Sequence, residues 1–410
     1  MGALRARFPA TVQPIMMPIA QRAQQIAPFY VMQVAEKARA LAAASPPGSP
    51  RMLYLNIGEP DFTAPEPVQA AAVRAIHHGQ TAYTPATGLP ALREAISGWY
   101  AQRFGVSVSP RRIVVTAGAS AALHLACLAV VDAGQELLMP DPSYPCNRHI
   151  LTSMGARARL LPTSPATRHQ LTADAIDAAW SGHTAGVLLA TPSNPTGTSV
   201  PADELDRIAQ VVGRRGGALL LDEIYLGLTD HDTDVQTGLR LGDSVISLNS
   251  FSKYFSMTGW RLGWMVVPDA LVETVERLAQ NLYICASTVA QHAALACFTD
   301  DALAIYETRR QIYRARRDLF VPGLRALGFD IPVTPDGAFY VWADATAVMR
   351  RLGVPDSAAL VDTLMQTCQV VATPSRDFSE HDLGCHIRFS TASATDDLHE
   401  ALQRMARLLA

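Results

Sequence analysis

The stretch Val245-Ile246-Ser247-Leu248-Asn249-Ser250-Phe251-Ser252-Lys253-Tyr254-Phe255-Ser256-Met257-Thr258-Gly259-Trp260-Arg261 begins as an apolar β-type run and turns, at Ser250, into hydroxyls around a single lysine. The chain has 34 lysines and arginines, and only Lys37 and Lys253 are lysine. Where a generic positive charge would serve, this protein uses arginine. Arginine stays protonated and cannot form an imine at neutral pH, whereas a lysine amine can lose its proton and attack a carbonyl. Lys253 therefore suggests chemistry that only an amine performs. A surface lysine without consequence is the competing reading, and composition alone leaves both open.

Working outward, further apolar runs alternate with helical segments. Ile113 to Thr116 reads as a strand, followed by a helix from Ser120 to about Val131. Glu136 to Met139, Gly186 to Ala190 and Ala218 to Leu221 read as strands, and Ala202 to Arg214 as a helix with Pro201 at its first position. Apolar strands alternating with helices predict an α/β fold with a mostly parallel sheet covered on both faces. Ligands of such sheets sit beyond the carboxyl ends of the strands. Ser120, Asp222 and Ser250 to Lys253 all fall there. A long helical stretch from Pro268 to about Arg325 carries the chain into a second unit, and Ala42 to Pro50 reads as a loop.

Bulk properties narrow the function. A chain of 410 residues exceeds the usual single domain, and 49% hydrophobic with 17% charged residues fits a soluble globular protein. A net charge of -3 offers no case for nucleic acid or an anionic membrane. The six cysteines are scattered without a Cys-x-x-Cys pair, which suits a reduced, cytoplasmic compartment. No apolar run is long enough to span a bilayer, and the stretch after Arg5 and Arg7 is broken by proline rather than secretory in character.

Three segments carry candidate chemistry. Thr116-Ala117-Gly118-Ala119-Ser120 sits at a strand-to-helix junction, where small residues let backbone N–H groups approach an anion; taken alone these residues favour an ordinary helix capped at Ser120. Thr191-Pro192-Ser193-Asn194-Pro195-Thr196-Gly197 is a rigid loop that could aim one amide, or be only a turn. Asp222 follows an apolar strand and needs a partner if buried, with Glu223 as the competing acid. His381, Asp382, Cys385 and His386 are metal-ligand types, but their spacing fits no standard zinc pattern and no metal is expected. No Gly-x-Gly-x-x-Gly and no Gly-x-x-x-x-Gly-Lys occurs.

Taken in order, Leu-Asn-Ile-Gly-Glu-Pro-Asp-Phe at 55–62, Tyr83-Thr84-Pro85 with Gly88, Asn-Pro-Thr-Gly at 194–197, Asp222-Glu223-Ile224-Tyr225, Ser-x-Ser-Lys with Met-Thr-Gly-Trp-Arg-Leu-Gly at 250–263, and Ile387-Arg388-Phe389-Ser390 resemble the class I/II aminotransferases, the fold-type I pyridoxal phosphate enzymes of the aspartate aminotransferase-like superfamily. The resemblance runs from about residue 26 to the C-terminus. It implies a large pyridoxal phosphate-binding domain over 61–315 and a smaller α+β domain built from 316–410 and part of 1–60, the rest of which is an N-terminal arm. It implies that Lys253 holds pyridoxal 5'-phosphate as an imine and later moves the substrate α-proton. Asp222 would pair with the pyridinium nitrogen, Asn194 and Tyr225 with the phenolic oxygen, and Tyr144 would stack on the ring. The N–H groups of Ala119 and Ser120, the hydroxyl of Ser250 (less so Ser252) and Arg261 would take the phosphate, together with Tyr83 from the neighbouring subunit of a homodimer with shared sites. Arg388, helped by Gly58 and Asn194, would grip the substrate α-carboxylate.

The same resemblance bears on the substrate. Gln280 to Thr288, the segment where dicarboxylate-specific relatives often place a second basic residue, carries no charge, and Ile26 to Val31 is apolar and aromatic. An L-amino acid with an uncharged aliphatic or aromatic side chain is the expected donor, with a 2-oxo acid as acceptor. A C–S β-lyase or another elimination or synthase reaction on this fold is the alternative.

Overall fold

In the computed structural model, which describes residues 17–230, 235–382 and 384–410, the apolar runs become one seven-stranded sheet. Its strands are β1 (Ile113–Thr116), β2 (Glu136–Asp141), β3 (Arg157–Pro162), β4 (Thr184–Ala190), β5 (Ala218–Asp222), β6 (Val245–Ser250) and β7 (Gly263–Val266), lying in the order β1-β7-β6-β5-β4-β2-β3. β7 runs antiparallel to both its neighbours, and every other pairing is parallel. Successive side chains of a strand point to opposite faces, and the core divides accordingly. Leu188, Leu220, Ile246 and Leu248 pack with Leu123 and Val275 of helices Ala119–Val130 and Val272–Leu282. Val187, Leu189, Leu219 and Leu221 pack on the other face with Ile176 and Ile208 of helices Ala173–Ala179 and Ala202–Arg214. Burial of both faces explains the unbroken apolar runs, and each such leucine contributes about 1.5–3 kcal/mol.

Two strands have no counterpart in the sequence reading. β3 lies at the edge of the sheet with Arg157 and Arg159 exposed, so it alternates instead of reading as an apolar run. β7 is only 4 residues long and starts inside the Met257–Gly263 motif. The helical stretch from Pro268 is three main helices, Val272–Leu282, Thr288–Leu295 and Asp300–Ala326. The chain turns at Ile284, whose φ is +65°, and the Ser287 and Thr299 side chains cap the two helices that follow by accepting from the Ala290 and Ala302 N–H groups. Pro201 occupies the cap of its helix, one place before the first helical residue. The loop expected from Ala42 begins at Ser45, because Ala42 to Ala44 form the last turn of helix Tyr30–Ala44. Residues 1–16, including Arg5 and Arg7, lie outside the described part.

A second core gathers Val34 and Ala38, Leu53 and Leu55, and residues from Phe320 to Leu409. It surrounds β8 (Tyr340–Asp344), β9 (Thr373–Pro374) and β10 (His386–Ser390), an antiparallel sheet in the order β9-β10-β8, while Leu53–Tyr54 pairs in parallel with Val370–Val371. Helix Asp300–Ala326, about 40 Å long, belongs to both cores: Tyr306 and Tyr313 pack against the large sheet, Phe320 and Leu324 in the second core. Among the described residues no helix is long and apolar enough to cross a membrane.

Candidate active site

Three adjacent strands bring distant sequence together. Thr116 of β1 pairs with Gly263 of β7, and Gly263 with Ser250 of β6. Because β7 runs backwards, its start meets the ends of β1 and β6. Gly118 to Ser120, Arg261 and Ser250 to Lys253 therefore become neighbours at one edge. Asp222 ends β5 there, and Asn194 and Tyr144 follow β4 and β2. Ala119, Ser120, Tyr144, Asn194, Asp222, Tyr225, Ser250, Ser252, Lys253, Arg261, Gly58 and Arg388 all line one cavity of ≈ 280 Å³.

One end of the cavity is built for an anion. Helix Ala119–Val130 is capped by Gly118, not Ser120, and no side chain accepts from its first N–H groups. An uncapped helix start attracts negative charge. Gly118 has φ +85° and ψ 167°, backbone angles that side chains rarely allow, and a Cβ there would stand 2.6 Å from Arg261 Nη2 and displace the guanidinium. Arg261 Nη1 donates to the Thr258 carbonyl at 3.0 Å, which orients the fork. Ser250 Oγ accepts the backbone N–H of Ser252 at 3.0 Å, and both residues line the cavity.

The middle holds an amine and an acid. Lys253 Nζ donates to the Gly58 carbonyl at 2.7 Å and lies 5.6 Å from the centre of the Tyr225 ring. Burial is the main cause that lowers its amine to about 8; Arg388 and Arg261 act in the same direction, while Glu59 and Asp222 oppose. Roughly a tenth of such amines are neutral at pH 7. Burial raises Asp222 to about 6, against the Ile224 N–H at 3.3 Å and Lys253. A carboxylate so placed favours a cationic partner. Glu223, the competing acid, does not line the cavity. It is buried among donors of its own, Thr237 Oγ1 at 2.9 Å, the Gly238 N–H at 2.7 Å and the Ser247 hydroxyl, and burial raises it to about 7.

At the far side Arg388 is 2% exposed. Its Nη1 donates to Asn194 Oδ1 at 3.0 Å and its Nη2 to the Asn56 carbonyl, and its guanidinium lies 4.6 Å from the centres of both the Tyr340 and Phe378 rings. Its Nε is buried with no partner. Tyr340 also shares a hydrogen bond of 2.8 Å with the Tyr225 hydroxyl, and its hydroxyl lies 1.8 Å from where a Cβ on Gly58 would stand. Tyr340, Phe378 and Asn56 were not anticipated. Tyr340 opens an ordinary apolar strand, and no sequence signal marks it except the glycine it requires at position 58. Tyr83 is 80% exposed and lies outside the cavity, as does the segment from Gln280 to Thr288. His381 Nδ1 lies 2.6 Å from Asp141 Oδ2, and Asp382 accepts the Cys385 N–H at 3.1 Å.

A family model described as aminotransferase class I and II matches residues 50–405. The chain belongs to this family. The aminotransferase is 38% identical over 389 residues to a valine–pyruvate aminotransferase of Mycobacterium tuberculosis, covering 94% of this chain and 97% of that protein. It is 31% identical over 360 residues to an aspartate/prephenate aminotransferase of Thermus thermophilus, covering 87% and 91%. Among solved structures, an aminotransferase from Mycobacterium tuberculosis superposes with a TM-score of 0.90 at 38% identity, over 96% of this chain and 99% of that one. Aspartate aminotransferase from Thermus thermophilus with maleate superposes with a TM-score of 0.87 at 30% identity, over 96% and 100%. The fold is that of the fold-type I enzymes, and these aminotransferases use pyridoxal 5'-phosphate to move amino groups between amino acids and 2-oxo acids. The elimination alternative is not favoured.

The residues present fit that cofactor: an uncapped helix start and a guanidinium for a phosphate, a buried carboxylate for a cationic ring nitrogen, and a partly neutral amine for a carbonyl. Gly118→Ala is expected to destabilise the cofactor-free aminotransferase by about 1–3 kcal/mol, because its backbone angles are nearly restricted to glycine. It should also weaken cofactor binding by roughly tenfold or more through the displaced Arg261. Thermal unfolding and an absorbance titration measure both; wild-type values in each would show that the close contact with Arg261 is without consequence.

Proposed function

We propose that this aminotransferase takes its amino group from an L-amino acid with an uncharged aliphatic or aromatic side chain. The observation that carries this reading is the wall of the cavity: Phe29, Val31, Met32, Ile57, Leu123 and Ile150 line it, and among the described residues lining it the only guanidinium besides Arg261 is Arg388. One guanidinium accounts for one carboxylate, and an apolar wall favours side chains without charge. The name of the Mycobacterium tuberculosis relative, valine–pyruvate aminotransferase, fits this reading, whereas the Thermus thermophilus relative is named for aspartate and prephenate. A panel of donors with 2-oxoglutarate and pyruvate tests it. Valine, leucine or phenylalanine should exceed aspartate in kcat/KM by at least roughly tenfold; a preference for aspartate would overturn the reading.

Pyridoxal 5'-phosphate, when bound, supplies an electrophilic carbonyl and a ring that accepts the electron pair left on the substrate α-carbon. Ala119, Ser120, Ser250 and Arg261 would hold its phosphate. Asp222 would hold a proton on the ring nitrogen, where burial leaves the ion pair little screened. Asn194 and Tyr225 would orient the phenolic oxygen, and Tyr144 would cover the ring face. Lys253 would hold the cofactor through its amine and would take the substrate α-proton at Nζ; its lowered pKa makes the neutral amine available for that role. Arg388 would bind both oxygens of the α-carboxylate, and Gly58 and Asn194 would flank it.

Tyr83, exposed and apart from the cavity, would reach the phosphate in a neighbouring subunit of a homodimer. Mixing Lys253→Ala protein with an inactive Tyr83→Ala protein should restore up to about a quarter of wild-type activity per site, because one site of a mixed dimer then carries both intact residues. No recovery from subunits shown to exchange would refute the shared site.

A further inference from the structure

Helix Tyr30–Ala44 starts without a local cap, because Phe29 at the cap position has no acceptor to offer. Its first N–H groups are instead taken by a carboxylate from the other end of the chain. Asp377 Oδ1 accepts the Tyr30 N–H at 3.2 Å, and Oδ2 accepts the Val31 N–H at 2.9 Å. Free N–H groups and the positive end of the helix dipole both favour a carboxylate in this place. Asp377 is 6% exposed; burial, the largest influence, raises its carboxyl above the ordinary range, and the Val31 and Tyr30 N–H groups act against that.

What Asp377 holds is a wall of the cavity. Phe29, Val31 and Met32 line it, and Phe29 meets the Tyr144 ring edge-on with centroids 5.9 Å apart. Val31 packs with Trp342 and Phe378. Phe378, the residue after Asp377, is one of the two rings against which the Arg388 guanidinium rests. The Asp377 carbonyl accepts from Arg148 Nη2 at 3.0 Å, and Arg148 sits on helix Pro145–Ser153, which brings Cys146, Asn147 and Ile150 to the same cavity. One residue thus joins the start of the N-terminal helix, the support of Arg388 and the helix after Tyr144.

We propose that Asp377 is a positioning residue for substrate side-chain selection: by capping helix Tyr30–Ala44 it fixes how far the Phe29–Val31–Met32 wall stands from Arg388. The proposal rests on the reading of that wall as the side-chain pocket. A donor anchored at Arg388 whose side chain reaches the wall depends on the cap. Alanine, whose side chain ends at a methyl group, does not.

The test compares alanine with the best large uncharged donor of the wild-type holoenzyme. Asp377→Ala is expected to lower kcat/KM for the large donor by roughly 3- to 30-fold, the range for a lost helix cap, chiefly through KM. For alanine it should change by less than about twofold. Asp377→Asn keeps an acceptor oxygen for the Val31 N–H but turns an NH2 group toward the Tyr30 N–H, so it should restore much of the large-donor activity, with amide exchange close to wild type at Val31 and faster at Tyr30. Equal losses for both donors, or no change in either, would overturn the proposal. Should Asp377→Ala not fold, Asp377→Ser serves with the same two donors, with the exchange of those two amides expected to accelerate roughly tenfold; unchanged exchange overturns the cap. Phe29→Ala separates the two readings. If it leaves the ratio between the donors unchanged, the wall is not the side-chain pocket. If it shifts the ratio and Asp377→Ala does not, the role of Asp377 alone fails.

Discussion

Lys253→Ala is expected to lose transamination by at least ~10⁴-fold, the upper range for removal of a positioned acid–base group. Two proposed functions leave with the side chain: the bond to the cofactor and the base for the α-proton. Lys37 is the internal control, for it is the only other lysine, lies on helix Tyr30–Ala44 with 52% of its side chain exposed, and pairs with Asp362 at 2.6 Å. Lys37→Arg should keep wild-type activity. Reductive labelling of the bound cofactor should place the label on Lys253, and a label on Lys37 would refute the assignment. The pH dependence comes from the sign of the shift. Burial lowers the Lys253 amine to about 8, so the neutral form grows as pH rises from 7 and is nearly complete by pH 9. Capture of added cofactor by cofactor-free protein should speed up over that range and then level off. A rate still climbing at pH 10 would mean an amine near its ordinary value. Lys253→Ala activity within about tenfold of wild type would end the assignment altogether.

Arg388→Lys should lose roughly 10²- to 10³-fold in kcat/KM for every amino acid and every 2-oxo acid alike. The guanidinium lies 4.6 Å from the centres of the Tyr340 and Phe378 rings, and Asn194 and the Asn56 carbonyl take two of its donors. A lysine lacks the planar fork, cannot reach both oxygens of a carboxylate, and leaves Asn194 without its donor. The absorbance of bound cofactor should stay at wild-type level, since the anion end is formed by other residues. Two-substrate kinetics with the absorbance recorded alongside decide the matter. A loss confined to certain side chains would assign Arg388 to side-chain reading and reverse the orientation of the substrate.

Much of this site was legible in the chain order. The turn at Gly118, the acid at Asp222 and the lysine at 253 each come at or just after the end of an apolar run, and in a sheet of this kind ligands sit beyond the strand ends. The resemblance to class I/II aminotransferases pointed to Arg388 and Asn194. Local features misled where two patterns overlap. Ser120 looks like a helix cap, yet Gly118 holds that place, with backbone angles of φ +85° and ψ 167° that glycine adopts and other residues rarely do. β3 and β7 escaped notice because an edge strand carries arginines and a 4-residue strand carries little pattern.

By itself the sequence determined the layered α/β class, the strand-end position of the candidate residues and the presence of an amine suited to imine chemistry, because strand periodicity and lysine's reactivity are local properties. The residues alone left Asp222 and Glu223 competing and the resemblance pointed to Asp222; the tertiary structure shows that Asp222 lines the cavity and why Glu223 does not. Asp222 and Glu223 are adjacent, and the donors at Ser247, Thr237 and Gly238 that claim Glu223 come from elsewhere in the chain. Only the fold placed Tyr340 against Tyr225 and Gly58, and Asp377 on the start of helix Tyr30–Ala44. Those contacts join residues far apart in the chain. Their energies come from burial and from paired donors and acceptors, and no short-range pattern encodes them.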